Sequence, residues 1–262
     1  MSNFIKEFWD NQAKTFNTSP DVSWKDEFAI DLEVKNISKY IENGDSVLDV
    51  GCANGFAAIR QAEMRDITIT GVDYSEEMIA QANIAFKDEN THINTEVIPV
   101  MKASFQVADV RKLPFEDEAF DVTYTTRVLI NLPNWEDQIE GMKECFRVTK
   151  KGGVLILSEA FYEPLQLLNA MRQLKNLPPL VEHDFNRYLK KSKLEKFLTE
   201  AEINFECIDF SSVYYLGSRF FRELVVQEDN SYTNPINRAF YELEGKIDGG
   251  GFGIQQAYII RK

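Results

Sequence analysis

Between residues 46 and 160 the sequence switches repeatedly between two periods, and this constrains the fold more than any other feature. SVLDVGC (46–52), ITITGVDY (67–74), SFQVADV (104–110), FDVTYTTRVL (120–129) and GGVLILSEA (152–160) are short, apolar and bounded by polar or glycine residues, as buried strands are. GFAAIRQAEMR, SEEMIAQANIAF and NWEDQIEGMKECFRV fall between them with helical spacing. Ser75 is placed to cap the second of these with Glu76 and Glu77 in its first turn, and Trp135, Ile139, Met142 and Phe146 make one stripe along the third. Strands alternating with helices predict an α/β, doubly wound sheet, because each parallel crossover returns over a sheet face with one handedness. NFECIDFSS and the final QAYIIRK add two strands, giving a mainly parallel seven-stranded, Rossmann-like sheet.

The rest of the chain is less regular. We read 1–262 as a single domain with an N-terminal cap arm (1–40) and two lid insertions, 161–191 and 213–250, the first being too long for a simple connection and too apolar for a linker. Ser192 and Glu195 match a capping box that opens a helix with Leu194, Phe197, Leu198 and Ala201 on one face. GGGFG near residue 250 reads as a turn before the last strand.

With 262 residues, 44% of them hydrophobic, the chain is long enough for one large domain. A net charge of -13 argues against nucleic acid as a partner, since phosphate-backbone binding relies on clustered Lys and Arg. Cys52, Cys145 and Cys207 are far apart with no CxxC pair, so no disulfide framework and no metal site is expected. No run approaches about 18 apolar residues and MSNFIKEFWDNQAKTF lacks a signal-peptide core, so the expectation is a cytoplasmic protein without a membrane partner. The oligomeric state is left open.

VLDVGCANG, at the end of the first strand, is the candidate binding loop, for in an open α/β sheet ligands sit beyond the carboxyl ends of the strands. Ala53 and Phe56 stand where a dinucleotide fingerprint starting at Gly51 needs its second and third glycines, and the ending of a P-loop is missing. What remains is Asp49 two places before Gly51, the small-residue turn Gly51, Cys52, Ala53 to Gly55, and Asp73 closing the second strand. Those features fit a ligand with a cation and a ribose.

The ordered set of segments resembles the class I S-adenosylmethionine-dependent methyltransferases of the small-molecule type, over roughly residues 40–160. VLDVGCANG resembles the family's first motif, GVDYSEEMI its second, VADVRKLPFEDEAFDVTY its third and fourth, and CFRVTKKGGVLILSE its helix, glycine turn and fifth strand. The resemblance implies S-adenosyl-L-methionine as cofactor and S-adenosyl-L-homocysteine as product. It implies Asp73 on the ribose hydroxyls, Tyr74 or Met78 against the adenine, Asp109 and the Val110 backbone at the adenine amino group, and the aromatic arm of Phe8, Trp9, Phe16 and Trp24 as a cap.

TTRVLINLP follows the fourth strand at what the resemblance makes the reaction zone, and Asn131 occupies the place of the family's frequent histidine. His183 in VEHDFNRYL is then the candidate base, because imidazole titrates near neutrality. Tyr214 and Arg219 in VYYLGSR, with Arg127, are candidates to face the acceptor; two arginines suit a phosphate or carboxylate. The expected function is methyl transfer to a small polar, anionic metabolite such as a sugar, nucleotide-linked or phosphorylated compound, at oxygen. Its competitors are a nicotinamide-dependent oxidoreductase and a non-catalytic S-adenosylmethionine-binding module.

Overall fold

The fold is taken from a computed structural model, which describes residues 3–92, 101–183, 185–226 and 231–262. Two helices, α1 (Asn3–Phe16) and α2 (Glu27–Ser38), precede β1 (Ser46–Val50). Then follow α3 (Phe56–Met64), β2 (Thr68–Asp73), α4 (Glu76–His92), β3 (Lys102–Val107), β4 (Phe120–Thr126), α5 (Trp135–Val148) and β5 (Thr149–Ala160). The sheet has the order β3-β2-β1-β4-β5, continued by β7 (Gln255–Arg261) and, at the edge, β6 (Phe205–Ile208). β1 to β5 pair in parallel, whereas β7 is antiparallel to both β5 and β6.

Apolar strands in the middle of a two-faced sheet are what hydrophobic burial demands. Val47 packs with Ile37, Ala58, Ile59 and Ile156 on one face; Leu48 and Val50 pack with Leu129, Met142 and Leu155 on the other. Each such side chain contributes about 1.5–3 kcal/mol through removal from water. Chain order turns back between β1 and β4, so the carboxyl ends of these two strands open a crevice between their loops.

The seven strands and their alternation with helices agree with the sequence reading, with local differences, among them the strand expected over 204–212, which ends at Ile208. The strand expected over 120–129 stops at Thr126: Arg127 takes a left-handed φ of 56° and a short 3-10 turn, Leu129–Asn131, follows. The helix α7 (Lys191–Glu200) exists, but its cap comes from elsewhere. Glu163 of α6 (Tyr162–Gln173) accepts the N–H groups of Lys191 and Ser192 at 2.9 and 3.2 Å, and Glu195 instead accepts the Tyr258 hydroxyl at 2.6 Å. A carboxylate from a neighbouring helix outcompetes the local serine.

The second insertion holds α8 (Ser212–Leu216), a π-helical turn (Gly217–Phe221), α9 (Arg222–Val225) and α10 (Pro235–Leu243). Gly217 opens the π turn because α10 lies directly on it: an added Cβ would sit 1.9 Å from Phe240 Cγ. Gly217→Ala should cost about 3 kcal/mol through overpacking, read as a lower melting temperature with the secondary-structure content of the native chain retained.

Candidate active site

The loop after β1 begins with Gly51 at φ 77°, and an added Cβ there would lie 2.0 Å from Val128 Cγ2, so only glycine lets the two loops meet. Ala53 also adopts a left-handed φ, 47°, where the dinucleotide pattern would have placed glycine. Its N–H donates to Asp73 Oδ2 at 3.0 Å and the Ser75 N–H donates to Asp73 Oδ1 at 2.9 Å, so the carboxylate at the end of β2 is oriented from one side. Ser75 Oγ caps α4 as expected, accepting the Met78 N–H at 3.1 Å. Gly55, at φ 80°, starts α3 against Ala82 and Phe105 and shapes the loop from behind.

These elements line a cleft with a cavity of about 110 Å³ that opens to solvent. Asp73, Tyr74, Met78, Ala108 and Val110 form one end; Glu33, Arg127 and Asn131 form the other, with Asp49, Gly51, Cys52 and Ala53 as floor. Asp109 does not line it. Arg111 takes its carboxylate at 2.6 and 3.1 Å and pairs with Asp137 at 3.1 Å; burial acts upward on Asp109, but the Arg111 hydrogen bonds bring its pKa below the ordinary value.

The N-terminal segment borders the cleft. Trp9 and Lys6 of α1 reach its wall, Asp10 accepts a hydrogen bond from Ser75, and Asn54 Nδ2 donates to the carbonyls of Asn17 and Ser19 at 3.1 and 2.8 Å. Asn54→Ala removes this clip; a several-fold faster release of the cleft's ligand is expected, measured by stopped-flow displacement, at about 1 kcal/mol per lost hydrogen bond.

Burial sets the electrostatics. Asp49 is 1% exposed and its pKa is pushed up to about 7 by desolvation, partly offset by the neighbouring Tyr124 and reinforced by Asp73. Asp49 and Tyr124 face each other in the β1–β4 register, yet Asp49 Oδ2 and Tyr124 Oη both lack a hydrogen bond. Burial likewise raises Asp73 to about 6 against the pull of its backbone N–H donors. Glu33 goes to about 7, again from burial, with Arg127 opposing.

A second, larger cavity adjoins the first, and Trp9, Ser23, Arg127 and Asn131 line both. Trp24, Phe185, Tyr188, Tyr215 and Tyr232 supply much of its wall. His183 lines it too, exposed and with its ring 4.9 Å from that of Phe185. Arg127 and Arg219 reach it, but each is matched by an acid. Arg127 Nε donates to Glu33 Oε1 at 3.1 Å, and Arg219 donates to Asp26. Arg219 is therefore not spent on Glu223, which Arg172 holds at 2.8 Å. Tyr214 stands behind the wall, fully buried, donating its hydroxyl to Asp26 at 2.5 Å; its neighbour Tyr215 faces the cavity.

The segment between the cavities is held by Glu159, which the sequence reading missed. Its buried carboxylate accepts from Thr125 Oγ1 at 2.8 Å and from the N–H groups of Val128 and Leu129 at 3.1 Å and Ile130 at 3.4 Å. This explains the end of β4 at Thr126. Glu33 and Asp26 were missed as well.

A crevice at the switch point of a doubly wound sheet, floored by a glycine turn and ending in a ribose-type acid, defines a nucleoside-binding α/β domain. Residues 48–157 match the family described as methyltransferase domain. The 27-O-demethylrifamycin SV methyltransferase of Amycolatopsis mediterranei is 34% identical over 122 residues, 46% of this chain and 40% of that protein. A ubiquinone/menaquinone biosynthesis C-methyltransferase of Geotalea daltonii is 33% identical over 163 residues, 61% of each. The chain thus aligns with less than two thirds of the length of these relatives. Among solved structures, the [4+2]-cyclase SpnF superposes with a TM-score of 0.57 at 21% identity, covering 89% of this chain and 81% of that one, which shows the shared fold. Over residues 48–157 the chain is thus similar to the methyltransferase domains of the class I S-adenosylmethionine-dependent kind, whose cofactor is S-adenosylmethionine.

The cleft suits that cofactor. Asp73 keeps lone pairs for two vicinal hydroxyls, Met78 and Val110 offer apolar contact to a base, and the unpartnered Asp49 Oδ2 lies beneath a loop that would carry positive charge. Among the described residues no helix is long and apolar enough to cross a membrane, and all three cysteines are free.

Proposed function

We propose that this chain transfers a methyl group from S-adenosylmethionine to the oxygen of a small molecule held in the aromatic cavity, acting in the cytoplasm without nucleic acid. The observation that carries this reading is the meeting of two cavities at Arg127 and Asn131, one fit for a nucleoside and one for an acceptor. Held by the Gly51–Ala53 turn and Asp73, the cofactor would supply an electrophilic methyl group to the acceptor oxygen, the sulfur would keep the electron pair of the broken carbon–sulfur bond, and the hydroxyl proton would leave for solvent. The chain's contribution is positioning and exclusion of solvent. Trp9 closes the junction from the arm, Glu159 fixes the backbone from Val128 to Ile130, and the Glu33–Arg127 pair forms the far wall. His183, on the cavity wall, is the candidate to receive the acceptor's proton on its way to solvent. The names of relatives include both O- and C-methyltransferases, and the absence of a carboxylate or imidazole at Asn131 favours an acceptor that needs little help in losing its proton.

A cyclase on the same fold shows that the fold is not tied to one chemistry, so a second reading is a chain that holds the cofactor without spending it. Calorimetry with S-adenosylmethionine, S-adenosylhomocysteine and a nicotinamide dinucleotide, followed by an acceptor screen for S-adenosylhomocysteine release, separates these. Binding of the first two with turnover supports methyl transfer; binding of the dinucleotide alone rejects it.

A further inference from the structure

The anionic acceptor expected from the sequence needed free arginines at the cavity, and both arginines there already donate to an acid. Arg127 faces Glu33, Arg219 faces Asp26, and the remaining Lys25 and Asp21 on the wall are of opposite sign. Buried acids behind both guanidinium groups oppose a further negative charge in front of them.

The walls are flat and aromatic. Trp9 stands edge-on to Phe185 at 6.1 Å and Trp24 edge-on to Tyr232 at 6.5 Å, with Tyr188 and Tyr215 also on the wall. The Arg127 and Arg219 guanidinium carbons lie 5.1 and 5.8 Å from the Trp24 ring, so its position is fixed by cations that are themselves paired. Such walls favour a planar ligand through ring contacts.

Asn131 adds a directional requirement. Its Nδ2 donates to the Arg127 carbonyl at 2.7 Å, which orients the amide and leaves Oδ1 without a partner in a side chain only 7% exposed. A buried acceptor without a donor costs about 1–3 kcal/mol. Asn131 lines both cavities, so its amide sits where the acceptor and the cofactor would meet, with the shielded Oδ1 still lacking a donor.

We propose that the acceptor is an uncharged, planar aromatic compound whose hydroxyl donates to Asn131 Oδ1. This deepens the methyltransferase reading and rests on it. A phosphate or carboxylate at the same place would set oxyanion against amide oxygen.

The test uses the full chain saturated with S-adenosylhomocysteine and titrated calorimetrically with three probes: 2-naphthol, 2-methoxynaphthalene and 2-naphthyl phosphate. The expected order puts 2-naphthol about tenfold or more tighter than either of the others, one hydrogen bond being worth about a factor of ten. Asn131→Ala, checked for folding by circular dichroism, should bring 2-naphthol and 2-methoxynaphthalene to equal affinity. The proposal is overturned if the phosphate binds as tightly as 2-naphthol, if 2-naphthol does not bind, or if Asn131→Ala preserves the preference; should that variant not fold, the native three-probe comparison decides alone. Failure of S-adenosylhomocysteine to bind would sink the methyltransferase reading instead, and the same titration on the cofactor-free chain still reports on the cavity.

Discussion

Asp73→Ala is expected to weaken S-adenosylhomocysteine binding by about 100-fold, two hydroxyl hydrogen bonds to a carboxylate being worth about 1.5 kcal/mol or more each. Asp73 sits at the tip of β2 with both oxygens already oriented by the N–H groups of Ala53 and Ser75, so a ribose bound there would meet a preformed acceptor. The replacement also frees those two N–H groups, and Asp73→Asn separates the effects, because an amide keeps one acceptor for the backbone while losing the charge and the bidentate grip. Calorimetry on both variants, with thermal melts alongside, is the check. An affinity for S-adenosylhomocysteine within a few-fold of the native value would remove Asp73 from the site.

The second large effect concerns protons. Asp49, Glu33 and Glu159 each have a carboxyl raised to about 7 and Asp73 one raised to about 6, with burial the leading cause in every case. A carboxyl whose pKa is higher in the folded chain than in the unfolded chain binds its proton more tightly when folded. Its contribution to stability is therefore fully present below about pH 4 and is lost as pH rises through 6 to 7. Stability against urea should increase as pH is lowered from about 7.5 to about 5, by ~1.4 kcal/mol per pH unit for each proton taken up. Asp121 works oppositely. Burial acts upward there, but hydrogen bonds from Lys150 and Ser46 hold it down at about 2, so its contribution fades only in stronger acid. Asp49→Asn should flatten the slope between pH 5 and 7 by about one proton; superimposable slopes would contradict the assignment. The cationic cofactor should in turn favour ionised Asp49 and release protons near pH 6.5, detectable as a binding enthalpy that changes with the buffer's ionisation enthalpy.

The parallel core was legible because strands buried on two faces are continuous apolar runs: SVLDV and TITGVD fall within two residues of where they were expected. The acid-ended strands and the glycine turn were legible for the same local reason, a charge or a glycine interrupting an apolar pattern. Pairings across long stretches of chain were not. Glu33 meets Arg127 across 94 positions and Arg219 meets Asp26 across 193, and no local period encodes either. A clue was nonetheless present, since Glu33 lies on the same face as Ile30, Val34 and Ile37, and Glu159 ends the apolar run GGVLILSE. A carboxylate on a buried face needs a partner, and that need marks it for attention. Tyr214 and Tyr215 show the opposite limit: adjacent on one short helix, they point to different surroundings, which only the packing of α8 decides.

The placement of β7 between β5 and β6 has a consequence for biosynthesis. Until residues 255–261 emerge from the ribosome, β5 has an open margin and β6 has no neighbour among the described strands, so a nascent chain carries an unfilled slot in its central sheet. The nucleoside crevice, built wholly from residues before 132, is complete in sequence long before that slot is filled.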